Sequence, residues 1–432
     1  MRRASLLWLL CPALLAAQTA NLNGEWLVTR DFLGTPLNQR LTLKVEGAKV
    51  TGEFAGDKLE GTLAGNKLHF IATDEDKNTE ELTGTVSGET FSGNVVSVDA
   101  RDKETTTLPF TARRAPQPHG GAPQRHEFVP SKFERAFSST TAPVLTISPG
   151  DTVHTTTVDA GGSDEKGVRR VLGGNPETGP FYVAGAMPGD VLAVHLDRLR
   201  LNRDYAISDD ALVGRAQTPQ TAIRMKDNNK NVRWHLDRER GLASLENAPD
   251  GLKNFAVPVR PMLGCVATAP GFGQAGFGTG DSGQGFGGNM DFNEIVEGAT
   301  VYLPVRQPGA LLYVGDGHAL QGDGELNGNA LETSMDVEFT VQLLPKKSIP
   351  GPRVENATHI MAMGLAGSLD DAFKQATAGL GAWLDQDYKL TPSELAMLLG
   401  TSVEYKVSEV ADRNAGVVAK IRKDRLTMLV KK

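Results

Sequence analysis

The chain has 432 residues, long enough to bury a large core and to form more than one folding unit. Its 45 Lys and Arg residues stand against 52 Asp and Glu, a formal charge of −7, and no basic block tracks along it. A nucleic-acid partner is therefore not expected.

Arg2 and Arg3 precede an apolar run from Leu6 to Leu15, followed by the small-residue segment Ala16, Ala17, Gln18, Thr19 and Ala20. This is the pattern of a secretory signal over residues 1–20, too short for a membrane span, with cleavage after Ala17 or Ala20. The expectation is an exported protein, periplasmic or secreted, with no membrane anchor after cleavage. Leu10 stands where a lipoprotein signal needs a small residue before Cys11, so lipidation is not expected. Cys265 is then the one remaining thiol and no internal disulfide can form.

Residues 21–114 read as short alternating strands cut by glycines: Glu25 to Thr29, Leu41 to Val45, Val50 to Phe54, Leu59 to Leu63, Lys67 to Ala72 and Leu82 to Val86. Gly47, Gly56, Gly65 and Gly88 suit tight hairpins of a small barrel or sandwich. No titratable cluster marks a site there, and the apolar residues read as few and small, so this module is expected to stabilise or space rather than to bind. A linker of residues 115–125, with Pro116, Pro118, Pro123 and the Gly120-Gly121 pair, separates it from a second domain over 126–432.

Strands dominate that second domain too. Val144 to Ile147 and Val153 to Val158 flank Ser148-Pro149-Gly150-Asp151, and Phe181 to Val183 and Val191 to Leu196 flank Met187-Pro188-Gly189-Asp190, so Asp151 and Asp190 are expected to cap turns. Ser368 with Asp371 opens an amphipathic helix carrying Ala372, Phe373, Ala376, Leu380, Trp383 and Leu384. Thr391-Pro392-Ser393-Glu394 opens another that stops at Gly400.

The densest chemical constellation is Val314-Gly315-Asp316-Gly317-His318-Ala319-Leu320-Gln321-Gly322-Asp323-Gly324-Glu325, in which one imidazole and three carboxylates fall within ten residues at a strand end. Interleaved glycines allow the backbone to turn these groups toward one point, as a metal or hydrolytic site requires; a solvated acidic turn is the plainer alternative. Gly287-Gly288-Asn289-Met290-Asp291 adds an amide oxygen and a carboxylate on one side of an extended segment. With His318 these form a mixed nitrogen and oxygen donor set for a divalent metal: zinc if imidazole dominates, calcium or manganese if oxygen does. Other motifs fail on context. Gly271 to Gly276 matches a dinucleotide fingerprint but continues Phe277-Gly278-Thr279-Gly280, which cannot open a helix. Gly280-Asp281-Ser282-Gly283 lacks the setting of a serine nucleophile, and Cys265 between apolar neighbours reads as a packing residue.

From about His126 onward the chain resembles the acetamidase/formamidase family, through PVLTISPGDT, TGPFYVAGAMPGDVL, VRPMLGCVATAP, GGNMD, ALLYVGDGHALQGDGE and SELAMLLGTSVEYKVSEVAD in that order. The resemblance implies a mostly β fold with an α+β element, sandwich- or barrel-like, preceded here by an extra small all-β domain. It also implies hydrolysis of small linear amides such as formamide or acetamide to a carboxylate and ammonia, a divalent metal, and a homo-oligomer. Carried over by position, Asn289, Asp291, Asp316 and His318 are the expected metal ligands. Glu325, Asp323 and His318 are the expected catalytic groups, with Glu325 as general base and then acid. Glu332 and His126 stand as secondary candidates. The segment from Leu201 to Asn254 matches the family poorly, so the pocket is expected to differ if that insertion borders the site. The rival readings are a periplasmic binding protein on the same scaffold and a hydrolase of a larger amide or a lactam.

Overall fold

The computed structural model describes residues 21–32, 34–271 and 276–430. Residues 1–20, where a secretory signal is expected, and the centre of the dinucleotide-like glycine run lie outside the described residues. The chain divides into two compact units, 1–114 and 115–432.

The first unit is a closed up-and-down barrel of eight antiparallel strands: β1 Gly24–Phe32, β2 Thr35–Glu46, β3 Lys49–Phe54, β4 Asp57–Ala64, β5 Lys67–Thr73, β6 Thr79–Ser87, β7 Thr90–Val98 and β8 Thr105–Arg114. Pairing of β1 with β8, Trp26 opposite Arg114, closes the sheet and removes its edges. The sequence shows six of these strands; β7 and β8 are masked by Ser, Gly, Asn and Pro109, yet they pair along their whole length. The interior is not poor in large residues: Trp26, Phe54, Phe70 and Phe91 are fully buried and fill it with edge-to-face contacts. Glycines permit the tight curvature. A Cβ on Gly52 would lie 1.9 Å from the Thr42 carbonyl oxygen of the neighbouring strand.

In the second unit a five-stranded sheet and a nine-stranded sheet pack face to face. The smaller runs in the order Leu145–Ile147, Glu177–Val183, Leu312–His318, Met262–Ala267, Gly287–Asn289. The larger is centred on Val191–Leu201 and Met335–Leu344 and ends at Glu404–Val407 on one edge and Arg125–Glu127 on the other. Inward residues alternate along each strand, so Leu192, Val194, Phe339 and Val341 meet Phe181, Val266, Leu312 and Val314 in one core. Both Pro-Gly-Asp turns are closed by their aspartate. Asp151 accepts the Ser148 N–H at 2.9 Å and Asp190 the Met187 N–H at 3.0 Å. Hydrogen bonds from Gln124, His126, Ser148 and His119 outweigh the burial that would raise Asp151, and hold its carboxyl at about 2. His126 is thus spent on this turn, 3.0 Å from Asp151.

The helix Leu369–Tyr388 covers the outer face of the nine-stranded sheet through Ala372, Ala376, Leu380, Trp383 and Leu384. Gly364 lets it approach: a Cβ there would sit 1.9 Å from the Ala372 carbonyl oxygen. Phe373 points the other way, half exposed against Tyr405. The helix Pro392–Ser402 starts with a full capping box, Thr391 with Glu394, and runs two residues past Gly400. Residues 205–258 form a separate four-stranded antiparallel sheet.

Candidate active site

The strand Leu312–His318 delivers two of the site residues through a break in its alternation. Leu312 and Val314 face the core, but Asp316 has φ = 55°, so Gly317 rather than Asp316 turns to the core, where a Cβ would lie 3.1 Å from Met335 Cβ. Asp316 and His318 are thereby directed to the opposite side. Asp291 at φ = 40° and Glu325 at φ = 47° share this left-handed backbone, which non-glycine residues adopt at a cost of about 1 kcal/mol or more each. Gly264, on the adjacent strand, has only a hydrogen where a Cβ would meet an Asp316 carboxylate oxygen at 2.3 Å and an Asp291 oxygen at 2.4 Å. Two carboxylates therefore lie flat on the sheet at this one glycine.

Around His318 the side chains converge. Its Nε2 is 3.3 Å from Glu332, 3.5 Å from Asp316 and 3.9 Å from Asp291. Donor atoms of Asp291, His318 and Glu325 lie within 4.8 Å of one another, as do those of Asp316, His318 and Glu332. All five residues are buried. On its other nitrogen, His318 Nδ1 meets Gln321 Oε1 at 2.9 Å, and Gln321 Nε2 donates to the carbonyls of Asp291 and Ser408. Since the glutamine nitrogen is committed to two carbonyls, its oxygen accepts from Nδ1–H, and Nε2 is the ring nitrogen turned toward the carboxylates.

No close approach in the cluster has hydrogen-bond geometry: both oxygens of Asp291 and of Asp316, His318 Nε2 and one oxygen of Glu332 are buried without a hydrogen-bond partner. Burying such groups unpaired is expensive. Burial, reinforced by Glu325 and Asp316, pushes the Asp291 carboxyl far up. Burial likewise raises Glu325, with Glu332 and Asp316 adding to it against His318, and lifts Glu332 to about 7. Burial lowers His318, but Glu332 and Asp316 outweigh it and raise the imidazole well above its ordinary value. A field that draws a proton to this point draws a metal cation equally, and the donors are those a divalent ion takes, so the residues fit a metal.

Four expected residues, Asp291, Asp316, His318 and Glu325, are brought together, and Glu332 joins them through an antiparallel bridge opposite His318. Two are not. The Asp323 side chain is half exposed, 3.0 Å from Lys406 and accepting from Asn293 at 2.8 Å, because the left-handed Gly324 turns the chain between it and Glu325. Asn289 is adjacent but occupied: its Nδ2 donates to Asp412 at 2.7 Å and its Oδ1 faces Asn175 Nδ2 at 3.4 Å. Glu177, Glu409 and Asp412 surround the cluster and carry no local sequence signal. Glu177 is fully buried over Gly315, beside Cys265. Burial pushes it well up, and pushes Glu409 to about 8 and Asp412 to about 6.

The poorly matching insertion does border the site. Ile207 and Glu332 exchange backbone hydrogen bonds of 3.0 and 2.9 Å, and buried Arg203 reaches the Glu332 carbonyl at 3.2 Å. Arg215 donates to the carbonyls of Asp412 and Arg413.

Comparison with known proteins covers the same residues. The pattern that defines the Acetamidase/Formamidase family matches residues 280–416, the stretch containing the whole cluster. A protein of Schizosaccharomyces pombe assigned as a formamidase is 51% identical over 59 residues, 13% of this chain and 14% of that relative's length. Among solved structures, an acetamidase from Yersinia enterocolitica is 29% identical with a TM-score of 0.62, covering 71% of this chain and 94% of that one. A predicted acetamidase/formamidase from Thermoanaerobacter tengcongensis is 25% identical with a TM-score of 0.61, covering 72% and 99%. The family pattern thus falls on the cluster, and the second unit is similar in fold to nearly the whole length of these acetamidase structures.

Proposed function

We propose that the second unit hydrolyses small linear amides such as formamide or acetamide, converting amide and water to a carboxylate and ammonia. The observation that carries this is the buried cluster of four carboxylates and one imidazole with unpartnered donor atoms, on the segment that matches the family. Asp291, Asp316 and His318 would hold a divalent metal, with Glu332 completing the set. When bound, that ion supplies a Lewis acid that polarises the amide carbonyl and eases deprotonation of water. We take it to be zinc, which accepts one imidazole with carboxylates; manganese fits the same donors.

Glu325 has the role of proton carrier. Burial raises the proton affinity of its carboxylate, so the carboxylate takes a proton from the attacking water as the C–O bond forms, and the resulting acid gives it to the nitrogen as the C–N bond breaks. Gln321 keeps the His318 Nε2 lone pair aimed inward. Asp323 is left out of this division because Lys406 holds it.

The test is ammonia release from formamide, acetamide and propionamide with and without prior chelation, alongside metal analysis. Turnover lost on chelation and restored by one metal is the expected result; bound metal with no turnover on any amide would rule the reading out. Glu325→Gln should abolish turnover while metal stays bound. Two further points belong to this proposal. The N-terminal pattern supports export, checked by sequencing the mature N-terminus, and family likeness supports a homo-oligomer, checked by light scattering.

A further inference from the structure

Asp412 differs from the carboxylates of the cluster in its exposure. Asp291, Asp316, Glu325 and Glu332 are buried, whereas Asp412 is partly exposed. Through its hydrogen bond with Asn289, two residues before Asp291 in the chain, it lies beside the cluster, and its charge acts on Asp291, Asp316 and Glu325. Its Oδ2 accepts from Asn289 Nδ2 at 2.7 Å, while Oδ1 receives no hydrogen bond from the described residues.

The loop carrying it is tied down on three sides. Asp412 N–H donates to Glu409 Oε2 at 3.2 Å, Asn414 N–H to Ser282 Oγ at 2.7 Å, and Arg215 of the insertion clamps the carbonyls of Asp412 and Arg413. Arg215 spends its donors on backbone oxygens rather than on the carboxylate. The loop is therefore held rigidly while the Asp412 side chain keeps one acceptor oxygen open beside a hydrolytic cluster. An acceptor-only group in that position calls for an N–H donor.

We propose that Asp412 binds the amide nitrogen of the substrate, taking one of its N–H bonds on Oδ1, and that Arg215 is the positioning residue that sets this acceptor in place. This rests on the amide-hydrolase reading. An unsubstituted amide offers two N–H donors, so one can reach Asp412 whichever way the C–N bond is presented; an N,N-disubstituted amide offers none. The same carboxylate then faces the nitrogen as it departs as ammonia.

The experiment measures kcat, KM and metal content for acetamide hydrolysis by the wild-type full chain and by Asp412→Asn, Asp412→Ala, Arg215→Met and Arg215→Lys. Loss of a hydrogen bond to a charged acceptor predicts a KM raised about 10- to 100-fold in both Asp412 variants, with a smaller change in kcat and unchanged metal content. Arg215→Met should raise KM in the same direction and Arg215→Lys should recover part of it; because Arg215 is exposed, this pair carries the test even where an Asp412 variant does not fold. Unchanged KM in a folded Asp412 variant, or loss of metal from it, overturns the assignment, the latter by making Asp412 a metal ligand. A wild type that binds metal but releases ammonia from no amide overturns the underlying reading and this inference with it.

Discussion

Gln321 shows how a residue with no chemistry of its own sets the chemistry of another. Its oxygen fixes the His318 tautomer while its nitrogen bridges the carbonyls of Asp291 and Ser408. Gln321→Met removes the acceptor and frees the ring, and should weaken metal affinity about 10- to 100-fold, read by titration against a competing chelator. Glu409 gives a prediction about pH. Burial and then the charge of Asp412 raise its carboxyl from 4.5 to about 8. Between these values the folded protein holds a proton that the unfolded chain has released, so stability falls as pH rises through this window, by at most about 1.4 kcal/mol per pH unit. In chelated protein, Glu409→Gln should flatten the decline of the urea midpoint; an unchanged slope would mean that Glu409 ionises at its ordinary value.

Strands of the five-stranded sheet act as the mould of the site. Gly264 and Gly315 each stand under a carboxylate, Asp316 with Asp291 over the first and Glu177 over the second. A methyl group at 264 would overlap two carboxylates whose backbones are already left-handed, so it cannot be absorbed by a simple rotation. Gly264→Ala should therefore lower metal content and turnover sharply, with far-ultraviolet circular dichroism unchanged, since the strand pairing of Met262 with His318 does not need the glycine. The turns were readable in the chain because each Pro-Gly-Asp carries its own cap. The break at Asp316 was not, because a positive φ at a non-glycine residue leaves no local trace and is imposed by the packing of neighbouring strands.

Two cores serve two units, one filled by Trp26, Phe54, Phe70 and Phe91 and one sandwiched between two sheets. Each of these cores is built from side chains of its own unit, so residues 115–432 expressed alone should fold and keep full amidase turnover, while residues 21–114 should melt as an independent cooperative unit. Loss of activity on removing the barrel, with metal still bound, would give the barrel a part in catalysis. Read from the chain, the mostly β class, the break near residue 115, both C-terminal helix starts and the GGNMD and histidine motifs are all local patterns, written in alternation, capping residues and glycine spacing. Asp323 and Glu325 look equivalent there, two residues apart. The fold separates them, turning one out to Lys406 and the other into the cluster, and it brings in Glu332, Glu177, Glu409 and Asp412 from distant segments. Which carboxylates share one buried volume depends on strand register and left-handed turns, and these are fixed by contacts between residues far apart in the chain.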